Sequence, residues 1–216
     1  MRIGIIGTGG MAEALGTGWA QAGHEVLISG RSRQNADALA ERIGRGAASG
    51  GLPDAAGFGD ATLVAVRAEG VLDTLRAAGA AEGTLTGRAL VDCTNAIAHP
   101  GMTLAPEGMA LRIAEVATGA HVVKAFNLAA SEVWAMSPPA FDGRPLGVPL
   151  CGDDPAALDV VRTLVRDLGC APMDGGGLAR AAYLEGMAAF VIGLLFSGQD
   201  PRAALPPFDL AFGAAA

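Results

Sequence analysis

Residues 1–33 leave this chain few folds to choose from. Arg2 to Ile6 is mostly apolar, as a strand buried on both faces of a parallel sheet should be. It runs into Gly7-Thr8-Gly9-Gly10-Met11-Ala12, the G-x-G-x-x-A form of the dinucleotide fingerprint. The first glycine permits a tight turn, the second lets backbone approach a pyrophosphate, and Ala12 is small enough for a helix to pack closely on the strand. Met11 to Ala22 predicts that helix, with Met11, Leu15 and Trp19 on one face and Gly23 as its stop. Val26 to Ile28 predicts the second strand. The span of about 30 residues is that of a βαβ unit, and amides at the helix start would face an anion.

The end of the second strand selects the cofactor. A carboxylate there would hold a ribose 2′-hydroxyl, whereas arginine and hydroxyl groups would hold a 2′-phosphate. The run is Ser29-Gly30-Arg31-Ser32-Arg33, without an acid. Arg31 can stack on adenine and fork onto phosphate, Ser32 can donate its hydroxyl or cap the next helix, and Arg33 adds charge. This chemistry favours NADP over NAD.

A chain of 216 residues is long enough for one large domain. Aromatics are scarce and small aliphatic side chains abundant, which favours helices layered closely on a sheet. The net charge of −7 gives no basic field for nucleic acid or an anionic membrane. Cys93, Cys151 and Cys170 have neither disulfide-framework nor zinc-ligand spacing, so no metal site is expected and a reducing, cytoplasmic setting is. The N-terminus runs straight into the first strand with no basic and apolar stretch, so no signal peptide is expected. The apolar stretch Met187 to Phe196 is too short to span a bilayer and reads as a core or dimer helix.

Further along, helices are predicted over Ser32–Ile43, near Pro53–Ala56, and over Glu69–Ala78 and Met109–Thr118. Strands are predicted near Ala47 and over Ala61–Val66, Arg88–Cys93 and His121–Ala125, with a loop around His99, Pro100 and Gly101. Six strands alternating with helices make a doubly wound, mainly parallel Rossmann sheet the economical architecture. A strand over Leu146–Cys151, a helix over Asp154–Leu168, a short strand at Ala171–Met173 and a long apolar helix over Leu178–Phe196 follow. Residues 146–216 therefore read as a C-terminal extension packed on a single domain of residues 1–216. The tail carries Pro206-Pro207-Phe208.

Ligands should collect at the carboxyl ends of the strands. That places Gly7 to Ala12, Arg31, Arg67, Thr94 with Asn95, and Lys124 with Asn127 on one side. Asn95 and Asn127 can bond a carboxamide or ribose, or satisfy loop backbone. Lys124 has three readings: a proton donor, a ligand for substrate charge, or an edge residue snorkelling outward. His24 reads as structural, and nothing places His99 near a substrate. No acid–base pair emerges, so no catalytic residue is named. Hydride passing between nicotinamide and a flavin-like ring mainly needs stacking and alignment, and that reading is preferred. A reductase of a small imine or carbonyl compound, and an idle NADP-binding regulator, are the alternatives.

Several motifs together resemble the NADPH-dependent coenzyme F420 reductases, the F420H2:NADP oxidoreductases, whose domain recurs in the cytosolic part of the STEAP metalloreductases. They are Ile5-Ile6-Gly7-Thr8-Gly9 with Ala12, Gly23-His24-Glu25-Val26 leading to Arg31, Val91-Asp92-Cys93-Thr94-Asn95 and Val123-Lys124-Ala125-Phe126-Asn127. Cys151-Gly152-Asp153-Asp154 and Asp174-Gly175-Gly176-Gly177-Leu178-Ala179-Arg180 with Glu185 extend the likeness. The resemblance implies a small Rossmann protein, commonly a homodimer, with NADP as cofactor and a deazaflavin (F420) or flavin as hydride partner. It implies phosphate contacts from Thr8, Gly9, Gly10 and Met11, and 2′-phosphate contacts from Arg31 and Ser32. Asn95, Ala125 and Asn127 would border the nicotinamide, and Gly152 to Asp154 would form a turn and helix cap. Relatives often carry serine where Gly30 stands and proline where Arg67 stands. Arg67 would bind a cofactor phosphate or an anionic substrate, or point to solvent.

Overall fold

In the computed structural model, residues 1–98, 101–104 and 108–204 are described. The first half of the chain runs β1 (Arg2–Ile6), α1 (Gly10–Gln21), β2 (Glu25–Ser29), α2 (Arg33–Ile43), β3 (Ala48–Ser49), α3 (Leu52–Ala56), β4 (Ala61–Val64), α4 (Val71–Ala77) and β5 (Ala89–Asp92). After it come β6 (Ile97–Ala98), β7 (Thr103–Leu104), α5 (Met109–Val116), β8 (His121–Lys124) and α6 (Ser131–Trp134). The last elements are β9 (Ala140–Phe141), β10 (Arg144–Pro145), β11 (Gly147–Gly152), α7 (Pro155–Asp167), β12 (Ala171–Asp174) and α8 (Ala181–Phe196).

Eight strands form one sheet in the order β12-β11-β8-β5-β4-β1-β2-β3. The six from β3 to β8 are parallel, and the chain winds outward in both directions from β1 and β4. That reversal opens a crevice at the carboxyl ends of β1 and β4. The doubly wound expectation holds. Strand β11 joins β8 antiparallel and β12 pairs parallel with β11, so the extension continues the same sheet.

Burial explains the strands. Ile3, Ile5, Leu63, Val91 and Val123 face a layer with α1, α2 and α7, while Ile6, Val64, Leu90 and Val122 face α4, α5 and α8. Trp19 is fully buried, donates its indole N–H to the Leu164 carbonyl at 3.1 Å, and meets Phe126 edge to face at 5.8 Å. Trp134 takes the other side of Phe126 at 5.3 Å.

Three short elements were not legible as periodic segments: α6 and the hairpins β6–β7 and β9–β10. The second hairpin turns on Asp142-Gly143 with φ of 51° and 73°, the primed turn that an Asp-Gly pair favours. His99 and Pro206-Pro207-Phe208 lie outside the described residues. The helical stretch Leu178–Phe196 is 19 residues with mean hydropathy 1.5, long enough by length and composition to cross a bilayer. The shortness argument for Met187–Phe196 therefore does not apply to the whole segment. Its Leu178, Ala181, Leu184, Glu185, Ala188 and Ala189 are buried in this fold.

Trp19→Ala is expected to cost about 3–5 kcal/mol, through the cavity left beneath Phe126 and the loss of the bond to Leu164. Urea denaturation checks it, and a loss below about 1 kcal/mol would show that the aromatic stack is not a support of the core.

Candidate functional site

The glycine loop is built by close approaches. Gly7 has φ +140°, donates its amide to the Ser29 carbonyl at 2.8 Å, and would drive a Cβ to 2.1 Å from the Ala65 carbonyl oxygen. Only glycine fits where β1, β2 and β4 converge. Gly9 caps α1 without a side chain, and nothing lies within 4 Å of where its Cβ would stand. The amides of Gly10, Met11 and Ala12 have no acceptor one helical turn back, as at any helix start, and no side chain caps them. A Cβ on Gly10 would come within 2.9 Å of the Ser131 hydroxyl, so α6 packs against this first turn.

At the end of β2, Arg31 is exposed and makes no ion pair or hydrogen bond among the described residues. Ser32 caps α2, its oxygen accepting from the Asn35 amide at 3.3 Å, which leaves its own proton free to be donated. Both readings of Ser32 are therefore compatible. Arg33 is different: it pairs with Asp37 at 2.7 Å and bonds the Ser49 carbonyl, so its charge is spent on α2 and β3. Arg33 and the Ser49 hydroxyl together hold the Asp37 carboxyl below its usual range. The Thr8 methyl lies 2.9 Å from the place a Cβ on Gly30 would take, so Thr8 fills the space of a residue-30 side chain. Arg67 stands exposed after β4, likewise unpaired among the described residues. Ser29 Oγ is fully buried with no partner among them. An uncapped helix start, open space over Gly9, a free Arg31 and an orphaned hydroxyl beside the loop suit a dinucleotide carrying a 2′-phosphate.

On the other side of the crevice the side chains are already engaged. The Asn95 amide donates to the Asn127 carbonyl at 2.7 Å, and the Asn127 amide donates to Asn95 Oδ1 at 2.9 Å and to the Leu184 carbonyl at 3.1 Å. The structure thus brings Asn95, Ala125 and Asn127 together at the ends of β5 and β8, with Ala125 buried. Between Ala125 and Asn127, Phe126 holds φ +62°, a conformation a bulky residue adopts only when its surroundings impose it.

Lys124 fits none of its three sequence readings. The chain's only lysine is 0% exposed in a strand between β5 and β11. It donates to Asp92 at 2.9 Å, to Glu185 at 2.9 Å and to the Thr94 carbonyl. Asp92 also accepts from the Thr94 amide and hydroxyl, at 2.8 and 2.6 Å. Glu185 reaches from α8 to accept from the Met109 and Ala110 amides, capping α5 in place of a side chain on Gly108. Burial alone would push the Lys124 ammonium down, but the Asp92 and Glu185 carboxylates more than offset it and hold its pKa above the usual lysine value. The expectation of a ligand side without acid–base groups is corrected, although all three are sealed beneath the strand ends. Asp92 and Lys124 are register partners at the ends of neighbouring four-residue strands. Opposite charges ending two buried strands were the available signal. Glu185 stood in the motif likeness, but its capping of α5 had no local signature.

Cys93 is buried beside this cluster and donates to the Val64 carbonyl at 3.3 Å, with burial pushing its thiol up to about 12. His24 is structural as read, linking the N-terminal amine at 3.0 Å to Asp167 at 2.8 Å. Asp154 caps α7, and Asp153 accepts from the Leu178 amide. No cluster of metal-binding side chains occurs among the described residues. A cavity of about 690 Å³ lies not at the strand ends but along the flank of α1, between α6 and the end of α7, and touches the loop only at Gly10.

An amine-reactive ester at neutral pH is expected to leave Lys124 unmodified in the folded protein and to label it in denaturant, as read by peptide mass. Native-rate labelling would contradict its burial. The stabilisation from its raised pKa is fully present below pH 10.5 and lost as pH rises through the folded value. Denaturation midpoints should therefore carry an alkaline loss that Lys124→Met lacks.

Residues 2–96 match the family profile described as NADP oxidoreductase, coenzyme F420-dependent. The chain is 27% identical over 184 residues to metalloreductase STEAP3 of Rattus norvegicus, covering 85% of this chain and 36% of that protein. It therefore spans little more than a third of that relative's length. Its fold matches a candidate F420-dependent NADP reductase of Arthrobacter sp. FB24 with a TM-score of 0.80 and 27% identity, covering 92% of this chain and 96% of the other. The hypothetical protein SMa0349 of Sinorhizobium meliloti matches with a TM-score of 0.73 and 27% identity, covering 84% and 87%. An imine reductase of Pseudomonas sp. shares the fold alone, with a TM-score of 0.69, 17% identity, and coverage of 91% and 63%. In residues 2–96 this chain is thus similar to the coenzyme F420-dependent NADP oxidoreductases, and over most of its length it shares the fold of the Arthrobacter protein.

Proposed function

We propose that the protein is an NADP-dependent oxidoreductase that passes hydride between NADPH and a deazaflavin of the F420 type or a flavin. The observation that carries the cofactor half is the end of β2, where an exposed Arg31 and a donor-competent Ser32 stand without a carboxylate. There the guanidinium grips a 2′-phosphate, while the uncapped amides of α1 receive the pyrophosphate across the bare surface of Gly9. Bound NADP supplies or accepts the hydride. The chain's own part is to bind and orient. Asn95 and Asn127, held rigid by each other, border the reacting ring and need not move a proton. The F420-dependent family description and the 27% identical Arthrobacter structure support the deazaflavin reading.

An imine or carbonyl reductase would require a proton donor facing the substrate. Lys124 was its candidate, and the side chain is sealed with every N–H engaged. This weakens that reading. Exposed Tyr183, Met187, Phe190, Leu195 and Phe196 along α8 support a homodimer joined there, and three free buried cysteines support work in the cytoplasm.

Titration with NADPH and NADH, followed by absorbance assays with F420, FMN and FAD, tests the reading. Tight NADPH binding without oxidation by any acceptor would leave a regulator instead. Arg31→Ala is expected to weaken NADPH on the order of tenfold or more while changing NADH little. Equal weakening of both would remove the 2′-phosphate assignment.

A further inference from the structure

We propose that Lys124 is a positioning residue: through Asp92, the Thr94 carbonyl and Glu185 it holds the Asn95–Asn127 pair under the nicotinamide half of NADP, and makes helix α8 a working part of that site. The inference rests on the NADP reading. In an open doubly wound sheet a dinucleotide lies across the reversal point, with its two nucleosides over opposite halves. Arg31 and Ser32 place the adenosine half over β2, which leaves the ends of β4, β5 and β8 to the other ring.

The ends of β5 and β8 meet on one ammonium. Lys124 closes β8, Asp92 closes β5, and the Thr94 carbonyl precedes Asn95 by one peptide. Glu185 ties the same ammonium to α8 and to the first amides of α5. One residue earlier on α8, the Leu184 carbonyl accepts the Asn127 amide, so the helix holds the asparagine pair both directly and through the lysine. Phe126, in a left-handed conformation and packed at T-shaped angles against Trp19 and Trp134, turns the chain between Lys124 and Asn127. A buried ammonium whose donors reach fixed acceptors on β5, on the loop after it and on α8 leaves little play in any of them. Neither the chemistry at Arg31 nor the α1 start touches this network, so the two halves of the site should respond separately.

The test compares NADPH with 2′,5′-ADP, which keeps the adenosine half and lacks the nicotinamide. Glu185→Gln keeps size and shape while removing one of the two charges that meet Lys124; Lys124→Met is the harsher companion. Each is checked for its unfolding midpoint. For Glu185→Gln the expected result is 2′,5′-ADP affinity within about twofold of wild type, about tenfold weaker NADPH binding, and altered fluorescence of the bound dihydronicotinamide. Parallel weakening of both ligands would mark the network as general scaffolding and overturn the proposal, as would unchanged NADPH affinity and fluorescence. If the wild-type protein binds neither ligand, the NADP reading itself fails, and that is seen before any variant is compared.

Discussion

A single buried ammonium governs how the second half of this molecule is assembled. Removing one partner of a buried charge pair costs about 3–5 kcal/mol, a large share of the stability of an ordinary domain. Here the ammonium carries two carboxylates, and the excess negative charge is met by the amides that open α5. The network therefore does not stand without β5, β8, α5 and α8 all in place. The first half depends on a different constraint, steric rather than electrostatic: Gly7 lets three backbones meet where no side chain would fit.

These two constraints differ in how far they reach along the chain, and so in how readable they were. The glycine loop is local. Its turn, the capping Ser32 and the strand of Arg2–Ile6 lie within a few dozen residues, each announcing its geometry by its own chemistry, so strands and helices fell close to their predicted places. The ion cluster joins residues 92, 124 and 185, and nothing in the neighbourhood of Lys124 says that a carboxylate on a distant helix will meet it. An isolated lysine in an apolar strand suggested an edge and an outward reach. The sheet register, with β11 added outside β8, turned that edge into an interior. The Asp142-Gly143 turn was legible in principle, but strands of two residues carry no periodicity to draw attention to it.

Charge placement follows the same division. Among the described residues Arg31 and Arg67 have no partner, whereas Arg33, two residues after Arg31, is consumed by Asp37 and Ser49. Counting cations at a strand end overstates what a phosphate would meet; the i to i+4 pairing on α2 decides which guanidinium is available.

The reversed strand β11 has a consequence for how such a protein can diversify. Only Cys151 and Gly152 pair with β8, and in the antiparallel sense, so Gly147–Leu150 continue past Lys124, beyond the point where the parallel strands stop. They pair there with Ala171–Asp174, raising a two-stranded parapet at the margin of the crevice farthest from Arg31. A wall of that kind can be lengthened, tilted or re-sided without disturbing the glycine loop. The fold thus separates an end fixed sterically by the glycine loop from a margin whose length and tilt that loop does not set.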